Sequence, residues 1–204
     1  TAAASYIVYN GLEMYGPGQQ ISVCKGTLGC HHIWFINGKY HDNGKFAALS
    51  FNDGSSRNVI SNNEIYEFRK QAVGLSVAHD NITEFNNIHN GGYDLDDQHI
   101  IGSGAGSYGN IIRYNKVHDT FRRPDSTAVC FGMTSAGQIS CQGGTAIYID
   151  VSYAGKYGTP PVPWPATYIY NNIVWNNNAG FNIYNSDNIY VFNNIAYHNG
   201  HGPH

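Results

Sequence analysis

The chain of 204 residues is long enough for one domain of ordinary size, and its charge is nearly balanced, with Lys+Arg 11 against Asp+Glu 14 and a formal net charge of -3. So weak a charge excludes nucleic acid or an anionic membrane surface as the main partner. There is no run of about 18 apolar residues, so no membrane span is expected. Gly (24) and Tyr (16) are abundant while long runs of Ala, Leu, Glu and Lys are missing, which points to strands and turns. The opening at Thr1 lacks Met, a basic segment and an apolar core, the start expected of a mature or internal segment.

Taken in chain order, one unit recurs. The segments SYIVYN, HIWFIN, NVISNN, NITEFN, NIIRYN, TYIYN and NIYVFN each run as a short apolar strand into an Asn: Asn10, Asn37, Asn63, Asn86, Asn115, Asn171 and Asn193. A second short strand follows each, beginning with Leu, Ile or Val two residues later in most copies. A third is read at AALSFND (47–53), VGLSVAHD (73–80), YDLDDQH (93–99), TAIYIDV (145–151) and AGFNIYN (179–185). Recurrence at about 25 residues, with one interval about twice that, is the pattern of a solenoid.

Three strands per unit is what one coil of a parallel β-helix requires. The repeat resembles the right-handed parallel β-helix repeat families, the pectate-lyase-like solenoids, over nearly the whole chain. That resemblance implies an all-β fold, a right-handed single-stranded parallel β-helix of about seven coils of three short strands. It implies a single domain over 1–204, part of a longer chain or assembly, with handedness also following the general crossover preference. For function it offers only a choice, since the fold carries lyases, hydrolases, epimerases, adhesins and tailspikes. The spacing here matches no complete lyase motif, so no family's catalytic residues carry over.

The anchor Asn has a physical reason to recur. At a bend it tolerates a left-handed backbone, and its amide can bond to the Asn stacked on it about 4.8 Å away. Asn58, Asn81, Asn110 and Asn188 suggest a second such corner. Glu84 and Arg113 two residues earlier mark an outward row, which leaves Tyr9, Ile36, Phe85, Tyr114, Tyr170 and Phe192 as inward candidates. Two insertions, 120–142 and 152–166, interrupt the long interval. The second carries GTPPVPWP and reads as a stiff flap.

Cysteines fall in two close pairs, Cys24 with Cys30 and Cys130 with Cys141, and two local disulfides are the favoured pairing. Four cysteines allow three pairings, and four buried thiols remain the plain alternative. Disulfides would place the chain in an oxidising compartment, secreted or at a cell surface.

Chemistry is expected where acids and insertions break the repeat. Alternation along the third strand turns Asp96, Tyr148 and Asn182 outward, beside Gln98, Asp150 and Tyr184, with Asp94 one step earlier. On this alignment Asp96 and Asp150 lie on adjacent coils, roughly 8 Å apart, inside the range of about 6.5 to 9.5 Å that inverting glycosidases use. Asp94, Asp96 and Asp97 offer carboxylates for calcium, and alternation puts Asp97 in an inward row. Arg122, Arg123, His118, Lys156 and Tyr148 are available to neutralise a uronate and to remove the neighbouring proton, and Trp164, Tyr184 and Arg123 to hold a glycan. His79 and His99 align one coil apart, as do His89 and His118, and stacking is the favoured reading of both pairs. The expected function is thus a secreted polysaccharide-binding and polysaccharide-cleaving protein, a glycoside hydrolase or polysaccharide lyase. The alternative is a non-catalytic structural or adhesive β-helix that associates end to end or laterally.

Overall fold

The computed structural model describes residues 5–16, 21–23, 29–43, 47–92, 99–120, 144–150 and 163–200. Coil one contributes β1 (Ser5–Asn10), β2 (Glu13–Tyr15) and β3 (Ile21–Val23), and coil two β4 (His31–Ile36), β5 (Lys39–His41) and β6 (Ala47–Asn52). Coil three holds β7 (Val59–Ser61), β8 (Glu64–Tyr66) and β9 (Gln71–Ser76), and coil four β10 (Ile82–Glu84), β11 (Asn87–His89) and β12 (His99–Gly104). Coil five holds β13 (Ile111–Arg113), β14 (Lys116–Thr120) and β15 (Thr145–Asp150), and coil six β16 (Thr167–Tyr170), β17 (Ile173–Asn177) and β18 (Ala179–Tyr184). The pair β19 (Ile189–Phe192) and β20 (Ile195–Tyr197) closes the described chain, so the expected seven full coils come out as six with a two-strand seventh.

Each strand pairs in parallel with its counterpart one coil away, which stacks the strands into three sheets of seven, seven and six. The result is an all-β parallel solenoid. Its core is a set of columns, one residue per coil. Phe35, Ile60, Thr83, Ile112 and Ile169 fill the column behind the first sheet, and Tyr40, Ile65, Ile88, Val117 and Val174 the one behind the second. Leu49, Val73, Ile101 and Ile147 line up behind the third. A fully buried aliphatic side chain contributes about 1.5–3 kcal/mol, so these columns dominate the stability.

A three-residue corner turns the chain between the first and second sheets. An outward residue is followed by one at positive φ, then by one whose side chain turns inward. The positive-φ row is Asn37 (57°), Asn62 (56°), Phe85 (55°), Tyr114 (56°), Asn171 (56°) and Asn193 (54°). The inward row is Asn63, Asn86, Asn115, Asn172 and Asn194, joined by Nδ2–H···Oδ1 bonds of 2.9, 2.9, 3.0 and 3.0 Å. Each of Asn86, Asn115, Asn172 and Asn194 also accepts the backbone N–H of the Asn one coil before it, at 2.9–3.1 Å. The second amide hydrogen returns to a carbonyl of the preceding coil, as from Asn86 to Ile60 at 3.0 Å.

The single anchor row read from the sequence therefore merges three neighbouring rows, with Asn10, in register with Ile36, in the outward one. Asn63, Asn86 and Asn115 belong to the buried ladder. Asn37, Asn171 and Asn193 are the left-handed residues beside it, and the exposed bonds Asn37 to Asn10 (2.8 Å) and Asn62 to Asn37 (2.6 Å) make a shorter ladder outside. A one-residue offset is invisible where both positions are Asn, as at Asn62–Asn63 and Asn193–Asn194. The second corner shows the same offset: Asn58, Asn81 and Asn110 form a buried ladder continued by Thr167, whereas Asn188 is a left-handed residue with φ 57°.

The expected inward row is corrected for the same reason. Phe85 (52% exposed) and Tyr114 (41%) occupy the left-handed position and stack face to face at 4.9 Å outside the barrel. Ile36 and Tyr170 share the outward row with Glu84 and Arg113, and Phe192 extends it. Tyr9 does fall in the inward column, paired with Phe35 and stacked on its ring at 4.8 Å.

Candidate functional site

Two outer faces carry organised side chains. On the second sheet, residues two apart point the same way, and the third residue of every strand is aromatic: Tyr15, His41, Tyr66, His89, His118, Trp175 and Tyr197. Successive rings stack at 5.4, 4.7, 5.4, 5.2, 4.1 and 5.8 Å with interplanar angles of 15° or less. The expected stacking of His89 on His118 is one step of this column. Because each ring covers the faces of its neighbours, the column presents edges outward and offers no ring face along its length for a sugar to lie on.

Carboxylates orient the histidines of the column. His41 pairs through Nδ1 with Asp42 (2.8 Å) and through Nε2 with Glu13 (3.3 Å), and His118 pairs through Nδ1 with Asp119 (2.7 Å). The Asp42 bond, joined by Glu13 and opposed by desolvation, holds His41 above the usual imidazole range. Burial pushes Asp119 upward, but hydrogen bonds from His118 and Asn176 outweigh it and leave the carboxyl below its ordinary value.

The third-sheet face is built the other way. Its central outward row reads Ser50, Gly74, Gly102, Tyr148, Asn182 in register, and the next reads Asn52, Ser76, Gly104, Asp150, Tyr184. Glycine in the middle coils removes the outward side chains from this row, and a cleft of about 370 Å³ opens there, with the Gln71 side chain laid against Gly74 and Gly102. The Gln71 amide lies along its floor: a Cβ on Gly74 would sit 2.7 Å from Gln71 Oε1, and one on Gly102 3.1 Å from Gln71 Nε2. Ser50 and Asn52, bonded at 3.1 Å, line one end. At the other, Tyr148 Oη donates to Asp150 Oδ2 at 3.0 Å, and His99 lies flat on the Tyr148 ring with centroids 3.4 Å apart. The volume falls in the range of ordinary small-molecule pockets, about 300–1,000 Å³, and the lining offers hydroxyls, amides, an imidazole, a phenol and one carboxylate.

The expected residues are divided by this geometry. Tyr148 and Asp150 line the cleft, and Asn182 and Tyr184 sit exposed on the adjoining strand, in register with them. Asp94, Asp96, Asp97, Gln98, Arg122, Arg123 and Lys156 lie outside the described residues, as do Cys24, Cys130 and Cys141. Cys30 is buried. Trp164 packs partly buried against the apolar core, and its carbonyl accepts from Asn188, so it provides no platform in the cleft. His118 belongs to the second-sheet column, away from the cleft.

The third-strand alignment needs correction at two coils. Coil four enters the third sheet with His99–Gly104, and YDLDDQH ends where that strand begins. The neighbour of Asp150 is therefore Gly104, and the inward position expected of Asp97 belongs to Ser103. The separation of roughly 8 Å between Asp96 and Asp150 rested on the displaced alignment. In coil three the strand starts at Gln71, two residues before the expected Val73, which pairs Phe51 with Leu75. His79 and His99 are consequently apart: His79 stacks on Tyr108 at 4.9 Å. Gln71, His99 and the floor glycines were missed through these shifts, whereas Ser50 falls in the outward row expected of it. Their signal was present in the parallel segments AALSFN, QAVGLS and HIIGSG, in which an apolar third residue precedes a small fourth.

Among the described residues no group of three or more His, Cys, Asp or Glu side chains is placed to hold a metal ion, and the expected calcium ligands lie outside those residues. No helix among them is long and apolar enough to cross a membrane. No family model, curated protein or solved structure matches the chain. What fold and site define together is a parallel β-solenoid, consistent with a β-helix repeat, that carries a polar, glycine-floored cleft on one sheet.

Proposed function

We propose that the third-sheet cleft binds polysaccharide and that the protein, secreted or at a cell surface, cleaves it there. The observation that carries this reading is the cleft itself: adjacent coils give up their outward side chains where Tyr148, Gln71, Ser50 and Asn52 supply hydroxyls and carboxamides, His99 an imidazole and Asp150 a carboxylate. Sugar hydroxyls both donate and accept, and such a lining answers both. In hydrolysis Asp150 is the acid or base and Tyr148 its hydrogen-bonded positioning partner. The second carboxyl group required comes from Asp94 or Asp96, in the segment leading into β12. In elimination, Arg122 or calcium held by Asp94, Asp96 and Asp97 would neutralise a uronate, with Arg123, Gln98, Asn182 and Tyr184 holding the flanking chain.

Reducing-end and ultraviolet assays over neutral and acidic polysaccharides test this. Asp150→Asn and Tyr148→Phe are expected to lower product formation by about 10²-fold or more without lowering Tm. Full activity in both variants removes the assignment. Reducing ends alone identify hydrolysis, and an absorbing unsaturated product identifies elimination.

The reading as a non-catalytic adhesive or structural β-helix has one observation in its favour. Asp150 is the single carboxylate among the described lining residues, where paired-carboxylate cleavage needs two. Binding without product would establish it. Disulfides would accord with secretion, and with Cys24–Cys30 and Cys130–Cys141 as the favoured pairing the unfolded, unreduced protein is expected to show no reactive thiol and to yield all 4 cysteines after reduction.

A further inference from the structure

At four corners of the solenoid an outward histidine is followed by a residue in the left-handed region, and the second side chain meets Nδ1 of the first. His41 pairs with Asp42 at 2.8 Å, His79 with Asp80 at 2.9 Å and His118 with Asp119 at 2.7 Å, with φ of 54°, 55° and 53° at the three aspartates. The fourth pair differs only in chemistry. His32, at φ 57°, brings its own Nδ1 to 2.9 Å from Nδ1 of His31. The corner backbone therefore sets the separation, and a second imidazole stands where the other corners have a carboxylate.

A carboxylate at that distance accepts a proton from the ring. Two neutral imidazoles can share one hydrogen, or both can turn a lone pair to a cation. Two nitrogens bound at about 2.0–2.1 Å and at a right angle lie about 2.9 Å apart, whereas a tetrahedral angle needs about 3.3 Å. The separation of 2.9 Å is thus that of neighbouring ligands in a square-planar or tetragonal set, the geometry of Cu(II) and Ni(II).

The surroundings hold the rings in place. In the tautomer whose Nε2–H is donated to Ser5 Oγ, at 3.2 Å, His31 keeps a lone pair on Nδ1, as a metal ligand must. Tyr6 stacks on the His32 ring at 4.7 Å and meets the His31 ring edge-on at 5.3 Å. Both histidines are half-buried, and neither lines the third-sheet cleft. The next residue along the His32 row is Arg57, in register through the bridge between His31 and Ser56. Its charge opposes a cation, but the side chain is exposed and solvent screens it.

We propose that His31 and His32 form a two-histidine site for a divalent first-row cation, Cu(II) ahead of Ni(II) and Zn(II), with water or an added ligand in the remaining positions. Such a pair is smaller than the three-residue groups absent from the described residues, so its affinity comes from the preset spacing.

The test is titration of the metal-free protein with Cu(II), followed by electron paramagnetic resonance, with the metal-free Tm of each variant measured alongside. The chain has 10 histidines, so the site is assigned by difference. Wild type is expected to take up one tightest equivalent with the spectrum of a tetragonal ion bearing two imidazole nitrogens. His31→Gln and His32→Asn are expected to weaken that equivalent at least about 10-fold. Asn tolerates the left-handed backbone, so His32→Asn keeps the corner. His32→Asp, which converts the pair to the kind found at the other three corners, is expected to hold its Tm and yet bind at least about 10-fold more weakly. His79→Gln is expected to bind as wild type does. A tightest equivalent retained by His31→Gln, His32→Asn or His32→Asp, or lost equally in His79→Gln, overturns the site. So does a wild-type spectrum with a single imidazole nitrogen, whatever the variants do.

Discussion

The outer faces of the second and third sheets have the same strand spacing, the same parallel hydrogen bonding and equally apolar columns behind them, yet one is filled and the other excavated. On the second sheet every coil from Tyr15 to Tyr197 places a ring in the same position, and each ring spends its faces on its neighbours. On the third sheet the middle coils place Gly74, Gly102 and Gly104 where a side chain would stand, and the surface opens to about 370 Å³. Regular stacking serves the solenoid itself, and an interruption of it provides room for something else. The same contrast holds at the corners, where the buried Asn ladder is continuous from Asn63 to Asn194 and leaves no group for a ligand.

Several substitutions can break or sharpen this contrast. The largest effect is expected from Asn86→Ala, which removes an acceptor shared by Asn63 N–H and Nδ2–H and the donors to Ile60 O and Asn115 Oδ1. Loss of about 3 kcal/mol or more is expected in chemical denaturation, because several buried groups are left unpaired at once. Asn62→Ala, in the exposed row next to it, is expected to cost about 1 kcal/mol or less. Equal losses in the two variants would dissolve the distinction between buried and exposed rows.

Trp175→Ala interrupts the ring column between His118 and Tyr197 and is expected to cost about 2 kcal/mol through lost area and stacking, with glycan binding unaffected. A smaller effect is expected from pH. His41 is held above its usual 6.5, so its contribution is complete below that value and fades as pH rises through the higher folded value. Asp119 lies below its usual 3.8, so its contribution is present above that value and is lost as pH falls through the lower folded one. Thermal unfolding is therefore expected to show the greatest contribution of this face between those limits. His41→Gln is expected to flatten the alkaline side alone; an unchanged slope there would detach His41 from it.

The fold was readable because a solenoid writes itself into the sequence once per coil. The strand–Asn–strand unit survives small errors of alignment, since a shift of one residue still leaves an apolar strand and a turn. Site geometry does not survive them. Side chains alternate along a strand, so the shifted start of coil three and the replacement of YDLDDQH by HIIGSG in coil four changed which residues share a row. Tyr148 and Asp150 were found because their strand, TAIYID, was placed correctly. Gln71 and the floor glycines were not, because a site defined by missing side chains has no acidic or aromatic flag. The merged Asn rows failed for another reason: adjacent Asn residues at Asn62–Asn63 make two structural roles look like one.

The central claim is that function lies in the excavated face and stability in the stacked one. Its most direct test is equilibrium binding of a neutral oligosaccharide panel to wild type, Ser76→Tyr and Trp175→Ala, each with its Tm measured. The account predicts that Ser76→Tyr loses binding at nearly unchanged Tm, while Trp175→Ala keeps binding at lowered Tm. The reverse pattern, binding kept with the cleft filled and lost with the ring column broken, would contradict it.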